Sequence, residues 1–94
     1  MKVIHLDASG WRSPADFYAA LLPELGAPSW HGRNLDALYD GLSGGINQLE
    51  PPFTVELTHS SELSSDMGNF LAKVATVFED ARREFGSNVS INID

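Results

Sequence analysis

Hydrophobic residues follow two different periods along this 94-residue chain, and segments that contain glycine or proline separate them. A short β-branched segment at residues 2–6 predicts a first strand, which a turn over 7–10 ends. At residues 53–57 and again at 89–93, hydrophobic residues alternate with polar ones, and this pattern predicts two more strands. The chain therefore contains three short strands that lie far apart in sequence.

A first helix is predicted between the first two strands, where hydrophobic residues recur at helical spacing. It begins behind Ser13, which is its N-cap, with Pro14 at the first helical position. Asp16 completes a capping box, and its carboxylate lies near the positive end of the helix. Pro23 and Gly26 are expected to end this helix.

Two further helices have equally clear ends. The second, over about residues 35–42, has Asn34 as its N-cap and stops at a pair of glycines. The third, over about 66–85, is the longest and stops at Gly86. The hydrophobic faces of the three helices are expected to supply the core: Phe17, Ala20, Leu21, Leu25, Leu35, Leu38, Leu42, Phe70, Val74, Val77, Phe78, Ala81 and Phe85.

The order strand, helix, helix, strand, helix, strand predicts parallel strands joined by right-handed crossovers. We therefore expect an α/β fold, a small three-stranded parallel sheet flanked by three main helices. A chain of this length has room for one hydrophobic core, so residues 1–94 are expected to form a single domain.

The charge of the chain restricts its partners. Six basic residues against thirteen acidic ones give a net charge of −7, which opposes binding to nucleic acid or to anionic membranes and favours a cationic partner. The chain has no cysteine and no metal-binding histidine spacing, so we expect no disulfide, metal or cofactor. No segment resembles a signal peptide or a membrane span, and a cytoplasmic protein is the default interpretation.

The segment over residues 30–42 is the most informative part of the chain. Asp36 and Asp40 lie four residues apart on one exposed flank of the second helix, beside its leucines. Such a pair is most simply a solvated acidic face. It is also typical of a surface that binds a cationic partner, because no Lys or Arg lies between Arg33 and Lys73 to neutralise it. A third possibility is a small enzyme that uses the two carboxylates as an acid/base or metal pair.

The residues of this segment are those of a known family. The run Trp-x-Gly-x-Asn-Leu-Asp-Ala-Leu-x-Asp over residues 30–40 resembles the barstar family, intracellular inhibitors of secreted ribonucleases such as barnase. The resemblance covers most of the chain. It includes the order of elements, a Pro before the second strand and a Val-Phe-acid-acid-Ala stretch at residues 77–81.

The resemblance implies that a helix and its preceding loop plug the active site of a ribonuclease, and that carboxylates take the places of RNA phosphates. Asp36 and Asp40 would mimic phosphates, and Asp80 would add an acidic contact from the third helix. The other implied partner-binding residues are Trp30 as an aromatic plug, His31 beside it, Gly32 and Asn34 shaping the loop, and Tyr39 and Gly45 at the rim. No catalysis is implied, and the free protein is expected to be a monomer.

Several residues depart from the family pattern. Tyr39 and Gly45 stand where the family carries tryptophans, Asp80 is one methylene shorter than the family's Glu, and the loop before Pro52 is longer. These changes suggest a changed partner, either a different ribonuclease or another basic enzyme. A separate alternative is a general acidic interaction module that regulates a non-nuclease partner. The resemblance also suggests a cis peptide bond between Pro51 and Pro52.

Overall fold

A computed structural model describes residues 2–27, 32–44, 49 and 51–94. Its strands are β1 (Lys2–Asp7), β2 (Phe53–Thr58) and β3 (Val89–Ile93). Its helices are α1 (Pro14–Leu25), α2 (Leu35–Gly44) and α3 (Ser65–Phe85), with a 3₁₀ turn at Ser60–Glu62 before α3. The predicted elements and their order are confirmed.

The three strands form one parallel sheet in the order β1-β2-β3. Its register pairs Ile4 with Val55 and Phe53 with Val89, and all four of these side chains are buried. The central strand β2 is the most completely buried, because it has a neighbouring strand on each side. The predicted α/β fold with a three-stranded parallel sheet and three helices is confirmed.

The helix ends follow the capping residues in the sequence. The carboxylate of Asp16 accepts hydrogen bonds from the backbone N–H groups of Arg12 (2.7 Å) and Ser13 (3.2 Å), and these bonds lower the pKa of Asp16. Gly26 and Gly86 end α1 and α3 in the left-handed conformation, which glycine adopts without a steric penalty.

The expectation that Pro23 helps to end the first helix is wrong. The helix continues through Pro23 to Leu25, and Gly26 alone caps it. Proline removes only one backbone donor, and the loss is tolerated here because the last turn still buries Leu22 and Leu25.

The peptide bond between Pro51 and Pro52 is cis, as predicted.

An aromatic cluster forms the end of the core next to α1. Phe17 is fully buried and meets the rings of Trp11, Tyr18 and Phe70 edge to face, with centroid distances of 5.2–5.8 Å. Edge-to-face contacts of this kind stabilise a core by more than the burial of their apolar surface alone provides.

In the described parts of the chain, no helix has the length and apolar character that crossing a membrane requires.

The side chain of Tyr18 is buried, and its hydroxyl has no hydrogen-bond partner among the described residues. Burial raises the pKa of Tyr18 to about 12. The unfolded chain releases this proton near pH 10 and the folded chain only near 12, so unfolding is favoured increasingly between these values.

We expect that Tyr18→Phe leaves stability at neutral pH unchanged or raises it slightly, since an unpaired buried hydroxyl is costly. Between pH 10 and 12 the parent should lose about 2 kcal/mol more unfolding free energy than the variant. Urea unfolding at a series of pH values measures both effects. Parallel pH profiles for the two proteins would contradict the assignment of the loss to Tyr18.

Candidate protein-binding surface

Helix α2 presents its polar side outward. Leu38 and Leu42 are buried, whereas Asp36 and Asp40 are both exposed. Leu35, which the pattern placed in the core, is only partly buried. The two carboxylates therefore lie on one exposed flank of a helix whose opposite side is anchored in the core, as the four-residue spacing predicts.

The start of α2 is held by Asn34. Its side-chain oxygen accepts a hydrogen bond from the backbone N–H of Ala37 (2.7 Å), and its backbone carbonyl accepts one from Leu38 (3.0 Å). Asn34 is thus the N-cap that the sequence predicts. The cap holds the backbone of the first turn in place. The direction in which the Asp36 side chain leaves the helix is therefore set by this turn.

Gly32 lies tightly against this first turn. A Cβ atom at this position would come within 3.1 Å of the Asn34 amide nitrogen and 3.2 Å of the Ala37 Cβ. Both distances are shorter than ordinary carbon contacts, so with a larger residue here the Asn34 amide and the Ala37 side chain would have to shift by a few tenths of an ångström. The structure thus gives a steric reason for glycine two residues before the N-cap.

Helices α2 and α3 bring a second group of residues beside the aspartates. The half-buried ring of Tyr39 meets the ring of Phe85 edge to face at 5.7 Å. Partial burial raises the pKa of Tyr39, and so do the negative charge of Glu84 and a hydrogen bond to its carboxylate. The charges of Asp80 and Asp40 act in the same direction more weakly. We call Tyr39, Asp40, Asp80, Glu84 and Phe85 the α2–α3 junction.

Asp80 already has a partner in the free protein. Its carboxylate forms an ion pair and hydrogen bond with Arg83, one turn further along α3. The side chain of Arg83 is largely exposed, and that of Asp80 is about one-third exposed. In the free protein, the positive charge of Arg83 therefore offsets part of the negative charge of Asp80.

One residue of the junction differs from the sequence prediction. Phe85 was expected in the core, but 59% of its surface is exposed, although its ring contacts the ring of Tyr39. The available signal was Phe85's position at the very end of α3, directly before the Gly86 cap.

The structure describes six of the nine residues that the family resemblance implies. It places Gly32, Asn34 and Asp36 at the start of α2, and it places Tyr39 where the charges of Asp40 and Asp80 act on its hydroxyl. The remaining three, Trp30, His31 and Gly45, lie outside the described residues.

The two described histidines lie beside carboxylates. His5 faces Glu56 at 3.6 Å on the sheet, and His59 hydrogen-bonds Asp7 at 3.0 Å. Over the described ranges, no three His, Asp or Glu side chains are placed to hold a metal ion. Asp36 borders a cavity of about 350 Å³, but that cavity is open to the surface and its lining is mainly apolar. The geometry is that of an exposed acidic surface.

Comparisons with known proteins identify the family of the chain. Residues 1–93 match the family described as barstar (barnase inhibitor). The chain is also similar to a Bacillus subtilis (strain 168) protein named "Putative ribonuclease inhibitor YrdF", with 28% identity over 94 residues that cover all of both chains. The family match spans nearly the whole chain and contains both α2 and α3. The chain belongs to the barstar family.

Proposed function

We propose that this protein inhibits a basic ribonuclease by covering its active site with α2 and the loop before it. The observation that carries the proposal is the exposed pair Asp36 and Asp40 on the outer flank of a capped, core-anchored helix. Membership of the barstar family supports it. The protein itself would catalyse no reaction.

The physical basis of inhibition is charge complementarity. A ribonuclease binds RNA phosphates with Arg and Lys side chains, and a carboxylate can pair with the same cations. Asp36 and Asp40 lie one helical turn apart, so both can enter one cationic cleft together. Because α2 is held by Asn34 and by its buried leucines, little conformational entropy is lost when the carboxylates are bound.

The proposed contact surface is larger than the two aspartates. Tyr39 and Asp80 extend it across the α2–α3 junction. The family resemblance adds the residues around the start of the helix and the rim, namely Trp30, His31, Gly32, Asn34 and Gly45. In this proposal the protein acts in the cytoplasm as a monomer and protects cellular RNA from a barnase-like enzyme.

The direct test measures RNA cleavage by purified barnase and by a panel of other basic microbial ribonucleases, each titrated with the protein. We expect stoichiometric loss of activity for at least one of these enzymes. A complex that forms without loss of cleavage would favour the alternative of a general interaction module. Failure to bind any ribonuclease of the panel would contradict the proposal.

Ionic strength is expected to act mainly on the association rate. The protein carries a net charge of −7, so long-range attraction should accelerate its encounter with a basic enzyme. Raising the salt from 20 to about 500 mM should lower the association rate constant by more than tenfold, because the Debye length shortens from roughly 20 Å to about 4 Å. The dissociation rate should change much less. Stopped-flow kinetics measure both rates, and an association rate independent of salt would contradict electrostatic steering.

A further inference from the structure

Phe85 is the most exposed large hydrophobic side chain in the described part of the chain, with 59% of its surface accessible. The other two that are exposed, Val3 and Ile93, are each 38% accessible and lie in the sheet. An exposed aromatic ring at this position does little for the core, since the free protein leaves more than half of it in water. A binding role would explain its presence.

Carboxylates act on the tyrosine that this ring contacts, although Arg82 and Arg83 also belong to the last turn of α3. Phe85 contacts Tyr39, and Tyr39 lies within the electrostatic influence of Glu84, Asp80 and Asp40. Arg83 pairs with Asp80, which leaves Asp40 and Glu84 without an ion pair among the described residues. An apolar ring beside carboxylates is complementary to a group that has both a flat apolar face and a positive charge.

We propose that Phe85 and Tyr39 form an aromatic platform that receives an arginine side chain of the ribonuclease. The proposal rests on the proposed function and extends its contact surface to Phe85, at the end of α3. The guanidinium stacks on the exposed face of Phe85, and its N–H groups reach the carboxylate of Glu84 at the edge of the platform.

Arginine fits this platform better than the other side chains of a basic protein. A lysine ammonium is a compact and strongly hydrated charge, which gains less from stacking on a ring. A neutral apolar side chain would cover Phe85 but would leave the carboxylates of Asp40 and Glu84 at the rim of a dry contact without a counter-charge. The platform therefore selects among basic ribonucleases for one with an arginine at this point of contact.

The experiment compares Phe85→Ala and Phe85→Leu with the parent, using the ribonuclease that the parent binds most tightly in the panel above. Both variants should weaken binding, by about five- to thirtyfold, because leucine keeps the apolar contact but has no π face. Val3→Ala is the matched control, since it trims an exposed hydrophobic residue in the sheet and should leave binding unchanged. Thermal unfolding verifies that each variant is folded.

The ribonuclease side is tested by changing its surface arginines one at a time to lysine. One such change should weaken binding to the parent and have little further effect on binding to Phe85→Ala, which is the signature of direct coupling. Full affinity in Phe85→Leu, or no coupled arginine, would overturn the platform. If Asp40→Ala weakens binding while both Phe85 variants bind as the parent does, the proposed function stands and the platform does not. If the parent binds no ribonuclease of the panel, both are overturned.

Discussion

Asp40→Ala is expected to weaken ribonuclease binding by about 2–5 kcal/mol while leaving the fold as stable as the parent. In the complex, Asp40 would meet an Arg or Lys in a contact from which water is excluded, and its removal would leave that cation unpaired. In the free protein, Asp40 is exposed, lies one turn from Asp36 and belongs to the second half of a ten-residue helix. Removing a like charge from that part of a helix should change stability by no more than a few tenths of a kcal/mol.

Asp16→Ala is the matched control for this substitution, since it also removes one aspartate from a helix. Asp16 accepts the backbone hydrogen bonds of Arg12 and Ser13 at the start of α1, so its loss should lower the melting temperature and leave inhibition intact. Melting temperature and inhibition constant are measured for both variants. An Asp40→Ala protein that inhibits as well as the parent would show that the acidic flank of α2 is ordinary solvated surface.

Phe17→Ala is expected to lower the free energy of unfolding by about 3–5 kcal/mol. Phe17 has no exposed surface, and it contacts the rings of Trp11, Tyr18 and Phe70. Truncation would remove these edge-to-face contacts and leave a cavity that three rigid neighbouring rings cannot fill. For a domain of this size, the loss is a large fraction of the total stability.

The matched control is Phe85→Ala, the same chemical change at a position where 59% of the residue is exposed. It loses one ring contact and should cost no more than about 1 kcal/mol. Urea unfolding followed by circular dichroism compares the two variants. Equal losses of unfolding free energy would mean that Phe85 is as important to the core as Phe17. The assignment of Phe85 to the exposed surface would then be wrong.

The element pattern could be predicted from the sequence because it depends on neighbours within a few residues. Alternation and helical spacing report which side of a local backbone is apolar, and they located all three strands and all three helices. Caps are equally local: Asn34 bonds a residue three positions away, and Asp16 bonds residues three and four positions away. For the same reason, the exposed flank formed by Asp36 and Asp40 follows from their spacing alone.

Predicting the class of binding partner required more than the periodicity of the sequence. An acidic flank is compatible with plain solvation, with catalysis or with a cationic partner, because charge alone does not select among them. The specific run of residues over 30–40 pointed to the barstar family, and the match over residues 1–93 confirms that relationship. The roles of the individual site residues remain predictions, to be tested by the substitutions above.

The sequence by itself determined the elements, their caps and the exposed carboxylates of α2, since each of these is set within a turn or two of backbone. Only the tertiary structure decided which residues meet across helices. Tyr39 lies more than forty residues before Glu84 and Phe85, and nothing local indicates that α2 and α3 place them together. Phe85 continues the apolar spacing of α3, but its burial depends on what covers the last turn, and there 59% of its surface stays exposed although the ring of Tyr39 contacts it. The periodicity of the sequence predicts which side of its own element a side chain lies on. Which residues it contacts depends on how elements distant in sequence pack together.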